Sequence, residues 1–328
     1  MSSPQFRWGI VAPGRIAHRF AHALEEVRGA QLHAVASRSA ERGRAFAQRY
    51  RASFHYETVE ALARDPEVDA IYIASPHRYH HPQTRLCLEA GKPVLCEKPF
   101  TVNAAEAADL IRLAQTKDLF LMEALWSRYL PVWRQVRQWL DDGAIGAVSL
   151  ITSTFCFRAE RDPSDRKFNH ALAGGALLDL GVYSVSLSQW VTGVPASAVR
   201  ALAQLGETGV DELTAATLAY PGPVVSQFAC SFLLDAVNDF SIHGTQGRIR
   251  VHANFWESTQ ATLVVDRKEH VASLPFRRNG FEYQIEEAMA CVRAGRNESE
   301  TMPLAATLSN MKTMDQIREQ IGLRYSFE

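Results

Sequence analysis

The first 125 residues alternate between short apolar runs and segments with helical spacing, joined by only a few residues. That rhythm constrains the fold more than any other feature. Apolar runs occupy Phe6 to Ala12, Leu32 to Ala36, Ala70 to Ala74, Pro93 to Cys96 and Leu119 to Met122. Between the first two, Ile16, Phe20, Ala23, Leu24 and Val27 can share one helix face. Further helices are predicted over about 40–50, 81–90 and 104–117. Strand and helix in regular alternation imply a parallel sheet covered on both faces. Residues 1–125 are therefore expected to form a doubly wound, Rossmann-like α/β domain.

From Pro131 the rhythm changes. A helix is predicted to about Asp142, then a strand from Val148 to Phe157, and Gly174-Gly175 open an apolar helical segment, ALLDLGVYSVSLSQWV. Six strand-like runs follow, at about 199–205, 212–220, 224–233, 239–243, 248–253 and 259–266, separated by turns such as Pro221-Gly222-Pro223. Successive strands joined by tight turns argue for an antiparallel sheet. Helices over about 281–294 and 304–321 close the chain, the last a candidate to pack back on the first domain. A chain of 328 residues exceeds one typical core, so 126–328 is expected to be a separate α+β domain with an open, predominantly antiparallel sheet.

Composition narrows the function classes. With 35 Lys+Arg against 36 Asp+Glu, charge offers no attraction for nucleic acid or an anionic membrane surface. Met1 to Trp8 contains no apolar h-region, and no run of about 18 apolar residues suggests a membrane span. Cys87, Cys96, Cys156, Cys230 and Cys291 are odd in number and scattered, never C-x-x-C, which points to reduced thiols in a cytoplasmic protein. His77, His80 and His81 cluster, but no cysteine or carboxylate spacing completes a metal set, so no metal is expected.

A dinucleotide site needs small residues at the first strand-to-helix turn, where backbone approaches the pyrophosphate at the helix N-terminus. Here the turn is Ala12-Pro13-Gly14-Arg15-Ile16-Ala17, with Ala12 in the usual first-glycine place, Gly14 in the second and Ala17 in the third. At the end of the second strand, an acidic residue would bind a ribose 2′-OH and arginine a 2′-phosphate. The chain carries Ser37-Arg38, with Arg42 one helical turn later and no Asp or Glu at the strand end. Guanidinium groups clamp phosphate through paired hydrogen bonds, so NADP is favoured over NAD.

Two other stretches carry candidate chemistry. The apolar run before Glu97-Lys98-Pro99 ends abruptly, because proline cannot continue a central ladder. Lys98 thereby sits at a strand C-terminus, where open α/β sheets bind ligands. In the helix after Gly174-Gly175, Asp179 and Tyr183 are spaced i, i+4 on one face, and an aspartate among apolar neighbours needs partners. The stretch FCFRAERDPSDRKFNH, beginning at Phe155, could line a polar substrate pocket or form a solvated loop.

Taken in order, GIVAPGRIA, ASPHRYHH, VLCEKPF and GGALLDLGVYSV resemble the successive motifs of the Gfo/Idh/MocA oxidoreductases over the whole chain. FLMEALWSRYLP and AGGALLDLGVYSV are most similar to the dimeric dihydrodiol dehydrogenase and NADP-dependent D-xylose dehydrogenase branch. The resemblance implies a hydride transfer between NADP and a hydroxyl or carbonyl of a sugar, polyol or dihydrodiol. It implies that Lys98, Asp179 and Tyr183 are catalytic, and that Glu97 and Lys98 also meet the cofactor. Ser75-Pro76-His77 and His80 match the loop beside the nicotinamide, and Trp126 and Arg128 follow the sixth strand, where this branch has cofactor and substrate contacts. Phe155 is the further substrate candidate. A cis peptide at Lys98-Pro99 and a homodimer through the second domain's sheet are also implied.

Alcohol oxidation needs a hydride acceptor and a base, and free tyrosine, titrating near ~10, is a poor base at neutral pH. A lysine ammonium at ~4 Å, at an effective dielectric of ~20, favours phenolate by ~4 kcal/mol, roughly three pKa units. Lys98 is thus expected to polarise and orient the reacting hydroxyl, Tyr183 to exchange its proton, and Asp179 to position one of them or the substrate. No tyrosine has a lysine four residues later, which argues against the short-chain reductase arrangement. The rival reading is a catalytically silent sugar sensor that binds dinucleotide on the same fold; it has no need of Lys98 and Tyr183 together.

Overall fold

A computed structural model describes residues 5–328; the first four residues of the N-terminal stretch lie outside it. The first unit holds six parallel strands and the helices between them: β1 (Phe6–Val11), α1 (Arg15–Leu24), β2 (Ala30–Ala36), α2 (Ala40–Tyr50), β3 (Phe54–Tyr56), α3 (Val59–Ala63), β4 (Ala70–Ile73), α4 (His80–Glu89), β5 (Val94–Glu97), α5 (Ala104–Thr116) and β6 (Leu121–Ala124). The strand order is β3-β2-β1-β4-β5-β6. β1 lies between β2 and β4, pairing Ile10 with Val35 on one side and Tyr72 on the other. The order of connection reverses there, and the β1 and β4 C-termini border the crevice where such sheets take ligands. β4, β5 and β6 are buried along their whole length, as central strands covered on both faces must be. Phe20 of α1 stacks on Tyr72 at 3.9 Å and meets Trp8 edge-on at 5.3 Å, which fastens α1 to the sheet.

Residues 277–307 pack with this first unit. They include α8 (Glu282–Arg293). Its first residue, the fully buried Glu282, orders the loop that leads into it: the carboxylate accepts from the amides of Arg278, Asn279 and Gly280. Arg19 and Asn279 exchange side-chain-to-carbonyl hydrogen bonds of 2.7 and 2.9 Å, tying α8 to α1.

The second unit comprises 127–276 and 308–328. It contains α6 (Pro131–Asp141), β7 (Val148–Cys156), α7 (Val182–Thr192) and the strands β8 (Ala198–Leu205), β9 (Asp211–Ala219), β10 (Val225–Ser231), β11 (Phe240–Gly244), β12 (Gly247–Val251), β13 (Gln260–Val265) and β14 (Lys268–Ser273). The last helix, α9 (Leu304–Ile321), begins in one unit and runs through the other. The eight strands order as β14-β13-β12-β11-β7-β10-β9-β8, antiparallel throughout except for β7 beside β10. The α/β class and both sheet types thus agree with expectation.

The continuous stretch His170–Thr192 corrects one expectation, since it is long and apolar enough to cross a membrane. Its apolar window is 89% buried inside the fold, so it is a core helix rather than an outward-facing one. Small hydroxyl side chains let it lie close against the sheet. Ser184 bonds Ser153 of β7 at 2.9 Å, and Ser188 bonds Ser226 of β10 at 2.8 Å. Before α7 the helix widens into a π turn, Leu177–Gly181, centred on Asp179. Such turns concentrate at functional sites.

Candidate active site

Five strand ends of the first unit carry predicted cofactor residues. After β1, Ala12 has φ +67°, the left-handed region in which a Cβ costs roughly 1–2 kcal/mol. The tight turn of the glycine fingerprint is therefore present without its first glycine. Gly14 is the N-cap of α1, extended, with no side-chain cap over the amides of Arg15 and Ile16. A Cβ built on Gly14 meets nothing within 4 Å, so the helix N-terminus opens onto free space. That combination fits a pyrophosphate.

At the end of β2, Ser37 is buried and its hydroxyl accepts from the Ser39 amide at 3.3 Å. Arg38 and Arg42 are exposed, and the Arg42 amide is capped by Ser39. The Arg38 guanidinium lies 5.8 Å from the Tyr79 ring. Among the described residues neither arginine has a carboxylate partner, which leaves two cations for an anionic group.

After β4, the Ser75 hydroxyl is buried and has no hydrogen-bond partner among the described residues. An orphaned hydroxyl beside the switch point again fits a bound polar group. Pro76 leads into a single turn, His77–Tyr79, with His77 buried. His80 is fully enclosed, and its two ring nitrogens lie 2.8 Å from the carbonyls of Ser75 and Pro99. These contacts make it a strut between the loops after β4 and β5.

At the end of β5, Glu97 is buried. Its carboxylate accepts from the Tyr72 hydroxyl and from the Lys98 amide, the latter at 3.2 Å. Lys98 is half-buried, and the Lys98-Pro99 peptide is cis, as the resemblance implied. Trp126, past β6, is buried against Phe281 with the Arg19 guanidinium 4.4 Å above its ring. A cavity of about 470 Å³ lined by His18, Arg19, His22, Glu25, Arg49, Tyr50 and Asn279 contains none of these predicted residues.

The second unit carries the remainder. Arg128 is buried, and its guanidinium donates to the Ser186 carbonyl and hydroxyl at 2.9 and 2.8 Å, which places it against α7. Asp179, on the π turn, is 5% exposed and pairs with Arg166 at 3.0 Å. Tyr183 is buried one turn on, its ring 5.8 Å from Phe155. Phe155 stacks on Trp256 at 3.4 Å with the planes 6° apart. Arg166 and Trp256 escaped the reading of individual residues. Arg166 lies within the polar stretch singled out as a whole, whereas no linear signal brings Trp256 to Phe155.

Burial holds the thiols of Cys87 and Cys291 up at about 12, and raises those of Cys96, Cys156 and Cys230. All five cysteines are free and buried, an environment for inert thiols.

Comparisons with known proteins agree with this arrangement. A family described as an oxidoreductase family with an NAD-binding Rossmann fold matches residues 6–125, and the GFO/IDH/MocA C-terminal domain matches 133–250. The mouse trans-1,2-dihydrobenzene-1,2-diol dehydrogenase is 35% identical over 97% of this chain and 98% of its own. The human protein of that name is 34% identical with the same coverage. A 3-ketoreductase from Actinomadura kijaniata in complex with NADP and TDP-benzene superposes with a TM-score of 0.87 at 25% identity, covering 97% of this chain and 98% of that one. An aldose-aldose oxidoreductase from Caulobacter crescentus shares the fold, with a TM-score of 0.88 at 23% identity over 96% and 97%. With both of its domains matched and full-length relatives above 30% identity, the chain belongs to the Gfo/Idh/MocA oxidoreductase family.

Proposed function

We propose that this protein is an NADP-dependent dehydrogenase that moves a hydride between nicotinamide and a ring hydroxyl or carbonyl of a trans-dihydrodiol or sugar. The observation that carries the reading is end-to-end similarity to dihydrodiol dehydrogenases at 34–35% identity. The open α1 N-terminus and orphaned Ser75 support dinucleotide binding, and the unpaired Arg38 and Arg42 support the 2′-phosphate form. When bound, the nicotinamide supplies the hydride chemistry.

The protein's own groups do the rest. Lys98 orients and polarises the reacting hydroxyl, Tyr183 exchanges its proton, and Asp179, steadied by Arg166, holds the proton-transfer group in place. Phe155 and Trp256 offer an aromatic wall beside Tyr183, suited to the apolar face of a ring substrate. A homodimer through the eight-stranded sheet is part of the reading and rests on the family resemblance. The test is a kinetic screen of trans-dihydrodiols, D-xylose, D-glucose and anhydrosugars with NADP and NAD. Turnover with NADP on at least one of them is expected; tight dinucleotide binding with no turnover on any would overturn the reading.

A further inference from the structure

Asp211, the first residue of β9, is fully buried and belongs to none of the motifs above. One carboxylate oxygen, Oδ2, accepts from the Leu177 amide and from the Thr214 hydroxyl, both at 2.7 Å. The other, Oδ1, has no hydrogen-bond partner among the described residues. It sits against Gly175, where an added Cβ would come within 2.2 Å of it. Gly175 also has φ +121°, so space and backbone both require glycine there.

The same short segment is gripped from its other sides. The Gly174 and Gly175 amides donate to the carbonyls of Asn169 and Lys167 at 3.0 and 2.9 Å. The Tyr325 hydroxyl donates to the Gly174 carbonyl at 2.5 Å. Leu177 starts the π turn that bears Asp179, and the Asp179 amide donates back to the Gly175 carbonyl at 3.3 Å. Asp211 thus holds the N-terminal end of that turn from outside the helix.

We propose that Asp211 is a positioning residue for the reaction, setting through the Leu177 amide where Asp179, and one turn on Tyr183, are held. The proposal rests on the dehydrogenase reading above. Burial raises the Asp211 carboxyl to about 7, against the opposing pull of the Thr214 and Leu177 donors and of Arg318. The ionisable groups around it are Arg318 of α9, Tyr325 after it and Cys230 of β10, and Arg318 is itself paired with Glu328. The carboxyl therefore changes charge within the working pH range.

The test compares Asp211→Asn, Asp211→Ala and Thr214→Val by amide hydrogen exchange over residues 175–183 and by steady-state kinetics from acid to alkaline pH. Losing a buried acceptor is worth about a tenfold effect, so Asp211→Ala should speed exchange in that segment and lower kcat by about that factor, leaving NADPH affinity unchanged. Asp211→Asn, which keeps an acceptor, should recover most of kcat and lack the kcat titration near 7 expected of the wild type. Thr214→Val removes a donor to the carboxylate and should move that titration to higher pH.

Wild-type kcat and wild-type exchange in a folded Asp211→Ala protein would overturn the proposal, as would an Asp211→Asn profile that keeps the titration. If Asp211→Ala fails to fold, the two conservative variants decide. Absence of turnover in the wild type defeats the dehydrogenase reading instead, and the exchange data then judge the Asp211 contact separately.

Discussion

The Arg166 guanidinium stands 3.0 Å from the Asp179 carboxylate, and the two differ in exposure, Arg166 at 40% and Asp179 at 5%. An enclosed carboxylate on a π turn is thus compensated by a cation that solvent can still reach. The pair compensates the desolvation of the Asp179 carboxylate and fixes its orientation on the turn, consistent with the positioning role proposed for it.

Removing Arg166 tests that role. Stranding one member of a buried pair costs about 3–5 kcal/mol, but screening at the exposed Arg166 discounts this to about 1–2 kcal/mol. Arg166→Ala should lower kcat roughly tenfold. Arg166→Lys should recover part of it, and NADPH affinity by fluorescence titration should be unchanged in both.

Coenzyme choice tests the β2 end. Each charge-assisted contact to a phosphate is worth about 1.5–3 kcal/mol, so Arg38→Ala and Arg42→Ala should each raise KM for NADP about tenfold or more. KM for NAD should hardly move. Ser37→Asp, which puts a carboxylate beside the ribose position, should shift preference towards NAD.

Ala12 is the place where a glycine improves stability. With its φ of +67° relieved, Ala12→Gly should stabilise the protein by ~1 kcal/mol, offset in part by the entropy of the unfolded chain. Ala12→Val, β-branched in the left-handed region, should destabilise it by more than that. Denaturant unfolding reads both.

Stability against pH follows from Asp211. Its carboxyl is raised from 3.8 to about 7, so between those values the folded protein binds a proton that the unfolded chain has released. Stability is therefore greatest below about 4 as far as this group is concerned, and declines as pH rises towards 7 and just beyond, by up to about 4 kcal/mol. Asp211→Asn should remove that decline, and a wild type whose unfolding midpoint rises through this window relative to Asp211→Asn would contradict it.

Much of the fold was legible because both sheets write themselves into local pattern. Fully buried parallel strands give unbroken apolar runs at β4 and β5, and tight turns punctuate β8 to β13. What escaped lacks such a pattern: β3 is three residues long, and β14 is an exposed edge with only Val271 and Ala272 as apolar residues. The i, i+4 reading of Asp179 and Tyr183 treated as regular helix what is a π turn passing into α7, a change of pitch that no residue identity announces. The bridge that the His80 ring makes between two carbonyls from separate strand ends has no linear signal either. Asp211 and Trp256 were out of reach for a related reason: their partners Leu177 and Phe155 are distant in sequence and meet them only in the folded second unit.

A double-mutant comparison of Lys98→Met, Tyr183→Phe and the pair, read as kcat/KM with NADP and the best substrate of the screen, probes the proposed chemistry most sharply. Residues that act on one proton as a unit lose most of their effect together, so each single change should cost about a hundredfold or more and the pair little beyond the worse single. NADPH affinity of Tyr183→Phe should match the wild type. Near-full turnover in Tyr183→Phe with the cofactor bound, or losses that simply multiply in the pair, would contradict a shared role for the amine and the phenol.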